Sequence, residues 1–509
     1  MVGSVSSGQR KLEHRHMMAN AACAATGLDK LGFKPGDCIA LFLRNDFAFF
    51  EASFASALLG GYAVPVNWHQ KGDEAGYIFR DCDAKAVIAH ADLLPQIEAE
   101  IAADVPIFVV PTPPEIAAAY GLSPDQCRPA PGAKLWSEFV AAHRPWSQAP
   151  QAAPNVMIYT SGTTGRPKGV RRAQSTLEIT ARATKQLAEI MGLGPAIRSV
   201  VTGPMYHSAP NAFALYAARL EGELWLQTRF DAEELLQWVE RYRIEALHMV
   251  PIMFVRLLKL PEAIKRKYDL SSLRHVVHAA APCPPEVKKA MIQWWGPIIN
   301  EYYGATEGGA VVYCTAKEWL ENYGTVGRVY PGCTVKILDA AGQELPAGEI
   351  GEVYMHNSNF PDFTYNRLDA KRREIERHGL ITAGDIGYLN ERGYLFLCDR
   401  AKDMIISGGV NIYPAEIEAV LHSMPGLQDC AVFGIPDDEY GEQVAAVIEA
   451  RPGTALTAEQ VRGYLRERIA GYKVPKLIEF GRDLPREDSG KIFKRKLRDP
   501  YWEKAGRKI

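Results

Sequence analysis

The chain has 509 residues, 47% hydrophobic and 23% charged, with a formal net charge of -2. That length exceeds what one core can serve and predicts two or more domains, while the near-neutral balance gives no footing for nucleic acid or an anionic membrane as main partner. The longest weakly polar run, around 54–66, contains Gly60-Gly61 and Pro65 and is too short to span a bilayer, so no transmembrane segment is expected.

The first residues, MVGSVSSGQRKLEHRH, lack the apolar core of a secretion signal, and nine cysteines are scattered with no CxxC pair. Both features suit free thiols in a cytoplasmic protein.

From 28 to 89 short apolar strands alternate with helices: a strand over 38–43 after the turn Lys34-Pro35-Gly36-Asp37, a helix over 47–59, and strands at 63–66 and 85–89. Such alternation argues for a parallel sheet covered on both faces. The Pro- and Ala-rich stretch 111–154 reads as surface connections with a helix or two. The pattern resumes from 199 to 303, with strands at 199–202, 223–226, 246–249, 274–278 and 297–302, and helices from about 211, over 231–242 and over 286–295. Two α/β units therefore share one large body.

After 325 the texture shifts to short strands among Gly and Pro turns (335–338, 351–355, 394–397), as in a small antiparallel barrel or sheet. Near 400 it shifts again, to a compact α+β segment with strands at 431–435 and 444–450, a helix over 458–469 and a basic tail. The expected architecture is α/β: a large N-terminal body of two α/β subdomains plus a small β-barrel, residues 1–400, and a smaller mobile α+β C-terminal domain, residues 401–509.

The stretch YTSGTTGRPKGV at 159–170 follows an apolar run and precedes a segment with helical spacing over 174–191, so it is expected to join a buried strand to a helix. Its composition suits a phosphate. Glycines 162, 165 and 169 let backbone N–H groups turn inward, Thr160, Ser161, Thr163 and Thr164 add hydroxyl donors, and Lys168 adds a mobile positive charge. It is not a Walker A loop, because Lys168 is followed by Gly169 rather than Ser or Thr.

Five more stretches stand with it in order: Pro204-Met205-Tyr206-His207-Ser208; His278-Ala279-Ala280-Ala281-Pro282; Glu301-Tyr302-Tyr303-Gly304-Ala305-Thr306-Glu307; Thr382-Ala383-Gly384-Asp385 followed by Asp399-Arg400-Ala401-Lys402-Asp403; and Ser489-Gly490-Lys491-Ile492. In this order and spacing they resemble the adenylate-forming superfamily of acyl-CoA synthetases, adenylation domains and firefly luciferase, over nearly the whole chain.

The resemblance implies an enzyme that makes a carboxylate attack the α-phosphate of ATP and then passes the acyl group to the thiol of CoA. Negative charge must be neutralised between carboxylate and triphosphate. The implied phosphate clamp is Thr160, Ser161, Gly162, Thr163, Thr164, Gly165 and Lys168; Glu307 would hold Mg2+, for which a hard oxygen ligand is appropriate. Thr306 would contact the α-phosphate, Tyr303 would stack on adenine with Ala281 and Tyr302 beside it, and Asp385, with Arg400 near, would accept the ribose hydroxyls. Lys491 matches the catalytic lysine of a lid that swings about Lys402 and presents its Ser407-Gly408-Gly409 face for the thiol step. His207 resembles the gate between carboxylate and thiol tunnel.

The chain departs from that pattern in places. The glycine-rich GGAP run reads Ala279-Ala280-Ala281-Pro282, Thr-Gly-Asp reads Ala383-Gly384-Asp385, and Ile406 stands where some plant aryl-CoA ligases have a lysine. The N-terminal segment looks short, so the first strands are expected to be missing or rearranged. Amino-acid-activating relatives place an Asp at His207, and without it a substrate ammonium would be buried unpaired. The acyl pocket is expected to draw on 211–215, 250–254, 279–283 and 308–312, mostly small and apolar. That favours a hydrophobic monocarboxylic acid: a medium- or long-chain fatty acid first, an aryl- or steroid-type acid second, with an acyl-AMP ligase loading a carrier protein as the other acceptor class. The expected partners are the small-molecule acid, ATP and CoA, with a homodimer left open.

Overall fold

The computed structural model describes residues 3–149, 156–160, 166–400, 403–408, 410–486 and 492–505. The apolar strand β1 (Cys38–Phe42) is buried along its whole length and sits inside a four-stranded parallel sheet, between Tyr62–Pro65 and Ala84–His90, with Ile107–Val110 beyond. Burial of both faces is why the strand reads as continuous hydrophobicity rather than alternation. Helix α1 (Phe47–Leu58) follows it, nearly all buried. Two short helices, Pro114–Tyr120 and Trp136–Ala141, occupy the Pro- and Ala-rich stretch.

Strand β2 (Ile158–Thr160) runs antiparallel to β3 (Lys168–Arg172), with Ile158 opposite Val170 and Thr160 opposite Lys168, and Phe363–Tyr365 pairs on the far side of β3. The glycine- and hydroxyl-rich stretch therefore joins two strands of a small sheet, not a strand to a helix. Gly169 and Val170 are buried and Arg171 and Arg172 partly so, and pairing on both sides holds the segment in a ladder before helix α2 (Leu177–Met191) begins. Thr176 caps that helix by accepting from the Ile179 amide.

The central sheet has 14 strands. Its parallel part contains β4 (Arg198–Val201), which leads to helix α3 (Ser208–Arg219); β5 (Ala246–Met249); β6 (His275–His278), which leads to helix α4 (Pro285–Trp295); and β7 (Ile299–Ala305). Their spatial order is β7-β6-β5-β4, continued by Glu223–Leu226 and then Ser4–Ser7, which pairs parallel to it and antiparallel to Arg10–Glu13. The first strands are thus present at the edge of the sheet, against expectation: Ser4 and Val5 bury there and the backbone alternates as a hairpin requires.

At β7 the direction reverses. Strand β8 (Gly309–Cys314) turns back antiparallel to β7, and Gly327–Val329, β10 (Tyr394–Arg400), β9 (Leu380–Leu389), Gly351–Asn357 and Cys333–Leu338 extend the same sheet antiparallel. The strands expected as a small barrel are, by their pairing, this antiparallel extension. A separate five-stranded sheet runs through Ile405–Ser407, Val410–Ile412, Leu427–Asp437, Gly441–Ala450 and Leu477–Phe480, with its own core around Ile417, Leu421, Val432 and Val444. Among the described residues no helix is long and apolar enough to cross a membrane.

Candidate active site

Where parallel strands give way to antiparallel ones, the C-terminal end of β7 carries the chemistry. Successive side chains of a strand point to opposite faces. Tyr303 and Glu301 share one face, Tyr302 and Gly304 the other. On the first face the Tyr303 hydroxyl donates to Asp385 Oδ2 at 2.8 Å. Arg400, opposite Asp385 across the β9–β10 ladder, brings its Nε to 3.3 Å from Oδ1 of the same carboxylate. Burial and the Asp385 charge together raise the Tyr303 phenol well above its ordinary value, so it stays a neutral donor. Gly384 precedes Asp385 with φ +78°, a conformation glycine adopts without strain.

Beyond β7 the chain turns through Thr306 and Glu307. Thr306 Oγ1 donates to Ser208 Oγ at 3.1 Å, tying the turn to the first residue of α3. Tyr365 donates to Glu307 Oε1 at 2.9 Å, and Lys168 Nζ lies 4.9 Å from the centre of the same ring. Lys168 and Glu307 therefore flank one tyrosine. Arg172 fixes the turn from behind, donating to the carbonyls of Thr306 (2.8 Å) and Glu307 (3.1 Å) and to Pro361 O (3.1 Å). Thr160 Oγ1 donates to the Lys168 carbonyl at 3.4 Å across the small hairpin.

His207 is the residue before α3, and its carbonyl accepts the first helical bond from the Asn211 amide. Its ring stacks obliquely on Tyr206 at 4.5 Å, which in turn meets Trp68 at 6.4 Å. Asn45, between β1 and α1, grips the loop in front of it: Nδ2 donates to Gly203 O at 2.9 Å and Oδ1 accepts from the Met205 amide at 2.8 Å. Asn211 adds a third bond, to Met205 O at 2.8 Å. In the alanine run, Ala280 takes φ +74°, a conformation that costs any residue with a Cβ, and Ala281 beside it is half-exposed.

The structure thus brings Thr306, Glu307, Lys168, Tyr303, Asp385 and Arg400 together around one strand end, with His207 joined to them through Ser208. Tyr302 sends its side chain to the other face, away from Tyr303 and Asp385, where its hydroxyl meets His248 Nε2 at 3.2 Å. Ser161, Gly162, Thr163, Thr164, Gly165, Lys402, Gly409 and Lys491 lie outside the described residues. Arg172, Asn45 and Tyr365 were not singled out by the sequence; each acts through the backbone or a neighbour, and only the Arg171-Arg172 pair so soon after Lys168 gave a signal.

Comparison with known proteins supplies the context. The AMP-binding enzyme family matches residues 2–360, and the AMP-binding enzyme C-terminal domain matches residues 416–491. A feruloyl-CoA synthase from Amycolatopsis sp. is 31% identical over 97% of this chain and 95% of its own. The long-chain-fatty-acid–CoA ligase FadD13 of Mycobacterium tuberculosis (strain ATCC 25618 / H37Rv) is 31% identical over 96% of this chain and 93% of its own. The crystal structure of ATP-bound MatB from Rhodopseudomonas palustris superposes with a TM-score of 0.85 at 26% identity, covering 98% of this chain and 96% of that one. The chain belongs to the AMP-binding enzymes of the adenylate-forming superfamily, among their acyl- and aryl-CoA ligases, and is an AMP-forming acid–thiol ligase.

Proposed function

We infer that the protein activates a hydrophobic monocarboxylic acid with ATP and transfers the acyl group to CoA. The observation that carries this reading is the grouping of Tyr303, Asp385 and Arg400 on one face of β7 with Thr306 and Glu307 at its end. Asp385, anchored by a phenol and a guanidinium, offers a fixed carboxylate for ribose hydroxyls, and a fixed acceptor loses little on binding. Thr306 presents its hydroxyl toward the α-phosphate from a turn that Arg172 holds rigid. Glu307 fits Mg2+: one carboxylate oxygen is oriented by Tyr365, and Mg2+ is usually held by one or two carboxylates with phosphate and water oxygens. Lys168 sits beside it, as expected of a clamp on the outer phosphates.

In the first half-reaction the acid's carboxylate attacks the α-phosphorus, forming an acyl–phosphate bond as pyrophosphate leaves; Lys491, carried on the 401–509 domain, neutralises charge between the reacting oxygens. In the second the CoA thiol displaces AMP past His207. The stretches expected to line the acyl pocket, 211–215, 250–254, 279–283 and 308–312, contain no arginine for a second carboxylate, which supports a monocarboxylic acid. Of the two acid classes, a medium- or long-chain alkyl acid and a ring-bearing acid, the polar pair His248–Tyr302 on the face of β7 turned away from Tyr303 favours the ring-bearing one. Pyrophosphate release, measured with Mg-ATP across a broad acid panel with CoA, with a phosphopantetheinylated carrier, and with neither, tests the reading. Labelled pyrophosphate that never exchanges into ATP with any acid refutes it.

A further inference from the structure

The face of β7 that Tyr303 does not occupy leads into the acyl side of the site. Val277 of β6 lies in register with His248 of β5 on one side and Asn300 of β7 on the other. Side chains in register share a face, so His248, Val277 and Tyr302 all point the same way. Helix α3 packs over β4 and β5 on this side: Phe213 lies 5.9 Å from the His248 ring, and Ala212 and Tyr302 are both partly buried against one core cluster.

Along that face the small residues come first. From Thr306, which is bonded to Ser208 at the mouth, the next same-side residue back along β7 is Gly304, where a Cβ would stand 1.9 Å from the Gly309 carbonyl. Ala279, buried, lies just past the end of β6, two residues on from Val277, and Ala212 packs against the same core from α3. Then bulk arrives at once: Tyr302, His248 and Phe213 close in together, with ring centres of Tyr302 and His248 5.9 Å apart. Thr306 stands four positions along the chain from Tyr302, roughly 13 Å at the rise of extended backbone.

We propose that Tyr302 and His248 form the floor of the acyl pocket and set its substrate class: a ring-bearing monocarboxylic acid with a neutral hydrogen-bonding group, such as a hydroxyl, at the end far from the carboxylate. A hydroxyl arriving there joins the Tyr302 hydroxyl and the His248 imidazole, while a long alkyl tail overruns the available depth. Burial supports the neutral character of the floor, lowering His248 to about 4 and raising Tyr302, so at neutral pH neither group offers a charge to a second carboxylate or an ammonium. The Tyr302 hydroxyl, which shares one hydrogen bond with His248, retains capacity for a further partner.

This inference rests on the ligase reading, and one experiment separates their failures. The full chain and its Tyr302→Phe and Tyr302→Ala variants are assayed for CoA-dependent pyrophosphate release with ring acids bearing or lacking a distal hydroxyl and with straight-chain acids of rising length. A lost neutral hydrogen bond changes kcat/KM by roughly tenfold. The unaltered enzyme should prefer the hydroxylated ring acid by about that factor, Tyr302→Phe should erase the preference while sparing the unsubstituted ring acid, and Tyr302→Ala should raise long alkyl acids relative to ring acids by a similar factor. An unaltered enzyme active on acids but indifferent to the hydroxyl, or variants that lower every acid by one common factor, overturns the floor. An unaltered enzyme silent with every acid overturns the ligase reading instead. Should Tyr302→Ala fail to fold, the Phe variant, which keeps the ring, decides alone.

Discussion

Asn45 offers the most demanding test of how the site is held. Its side chain spans two backbone groups of the loop before His207, donating to Gly203 O at 2.9 Å and accepting from the Met205 amide at 2.8 Å, and all three residues are buried. Asn45→Ala leaves a carbonyl and an amide inside the protein without these partners. Each buried orphan costs about 1–3 kcal/mol, and partial relaxation of the loop should bring the total to about 2–4 kcal/mol. Some of this will appear as lost stability and some as a displaced His207, because the loop can recover its bonds by moving toward water. Urea unfolding reads the first share and single-turnover pyrophosphate release the second. The expected result is a fall in kcat of about tenfold or more, with KM for ATP within about twofold of the original, since Tyr303 and Asp385 stand on other elements. Asn45→Asp keeps the acceptor for Met205 but faces the Gly203 carbonyl with a carboxylate, and should fall between. An unchanged kcat in Asn45→Ala would show that the loop holds itself; an equal loss in KM for ATP would show that the damage is general.

Three further expectations follow from the site. Tyr303→Phe removes a hydrogen bond to a charged acceptor, worth about 1.5–3 kcal/mol, and should raise KM for ATP by roughly ten- to hundredfold with KM for the acid nearly unmoved; isothermal titration with a non-hydrolysable ATP analogue checks it, and unaltered affinity would release Asp385 from the ribose role. Lys491→Ala should nearly abolish adenylate formation yet spare thioester formation from a supplied acyl adenylate, and equal loss of both half-reactions would contradict the two-pose lid. His248, lowered from 6.5 to about 4 by burial, binds its proton later in the folded state than in the unfolded chain. Its contribution is therefore complete above pH 6.5 and lost as the pH falls toward 4, amounting to about 3 kcal/mol. Urea midpoints taken between pH 7 and pH 4.5 should drop accordingly, and a His248→Phe variant with an equally steep profile would move the cause elsewhere.

Much of the parallel architecture was open to reading because its strands are buried on both faces and stand out as apolar runs: Glu223–Leu226 and β5 fall where the run alone puts them. The errors arise where local signals are ambiguous. Lys168–Arg172 carries three cations and a glycine in five residues, which resembles a loop, and only its pairing with β2 and Phe363–Tyr365 makes it a strand. The site's charged members were legible through their order along the chain. Asn45 and Arg172 were not, since an Asn before an Asp reads as a turn former and an Arg after an Arg as a solvated charge, and the backbone atoms they bind have no sequence signature. The separation of Tyr302 from Tyr303 had no signature either: a motif states which residues stand together, whereas a strand sends neighbours to opposite sides.

That last point carries the division of the site proposed above. Alternation along β7 puts Tyr303 on one face and Tyr302 and Gly304 on the other, so on the proposed reading nucleotide and acid approach from opposite sides of a single sheet and meet where it ends. Thr306 and Glu307 stand at that end, past the last ladder pair of β7, where the sheet also passes from parallel to antiparallel. Ligands in open α/β sheets gather outside the carboxyl ends of strands at such changes of direction. The tight Gly304–Gly309 approach and the Arg172 bonds to the Thr306 and Glu307 carbonyls fix that turn, and the buried Lys288–Glu301 pair at 2.6 Å anchors the strand that leads to it.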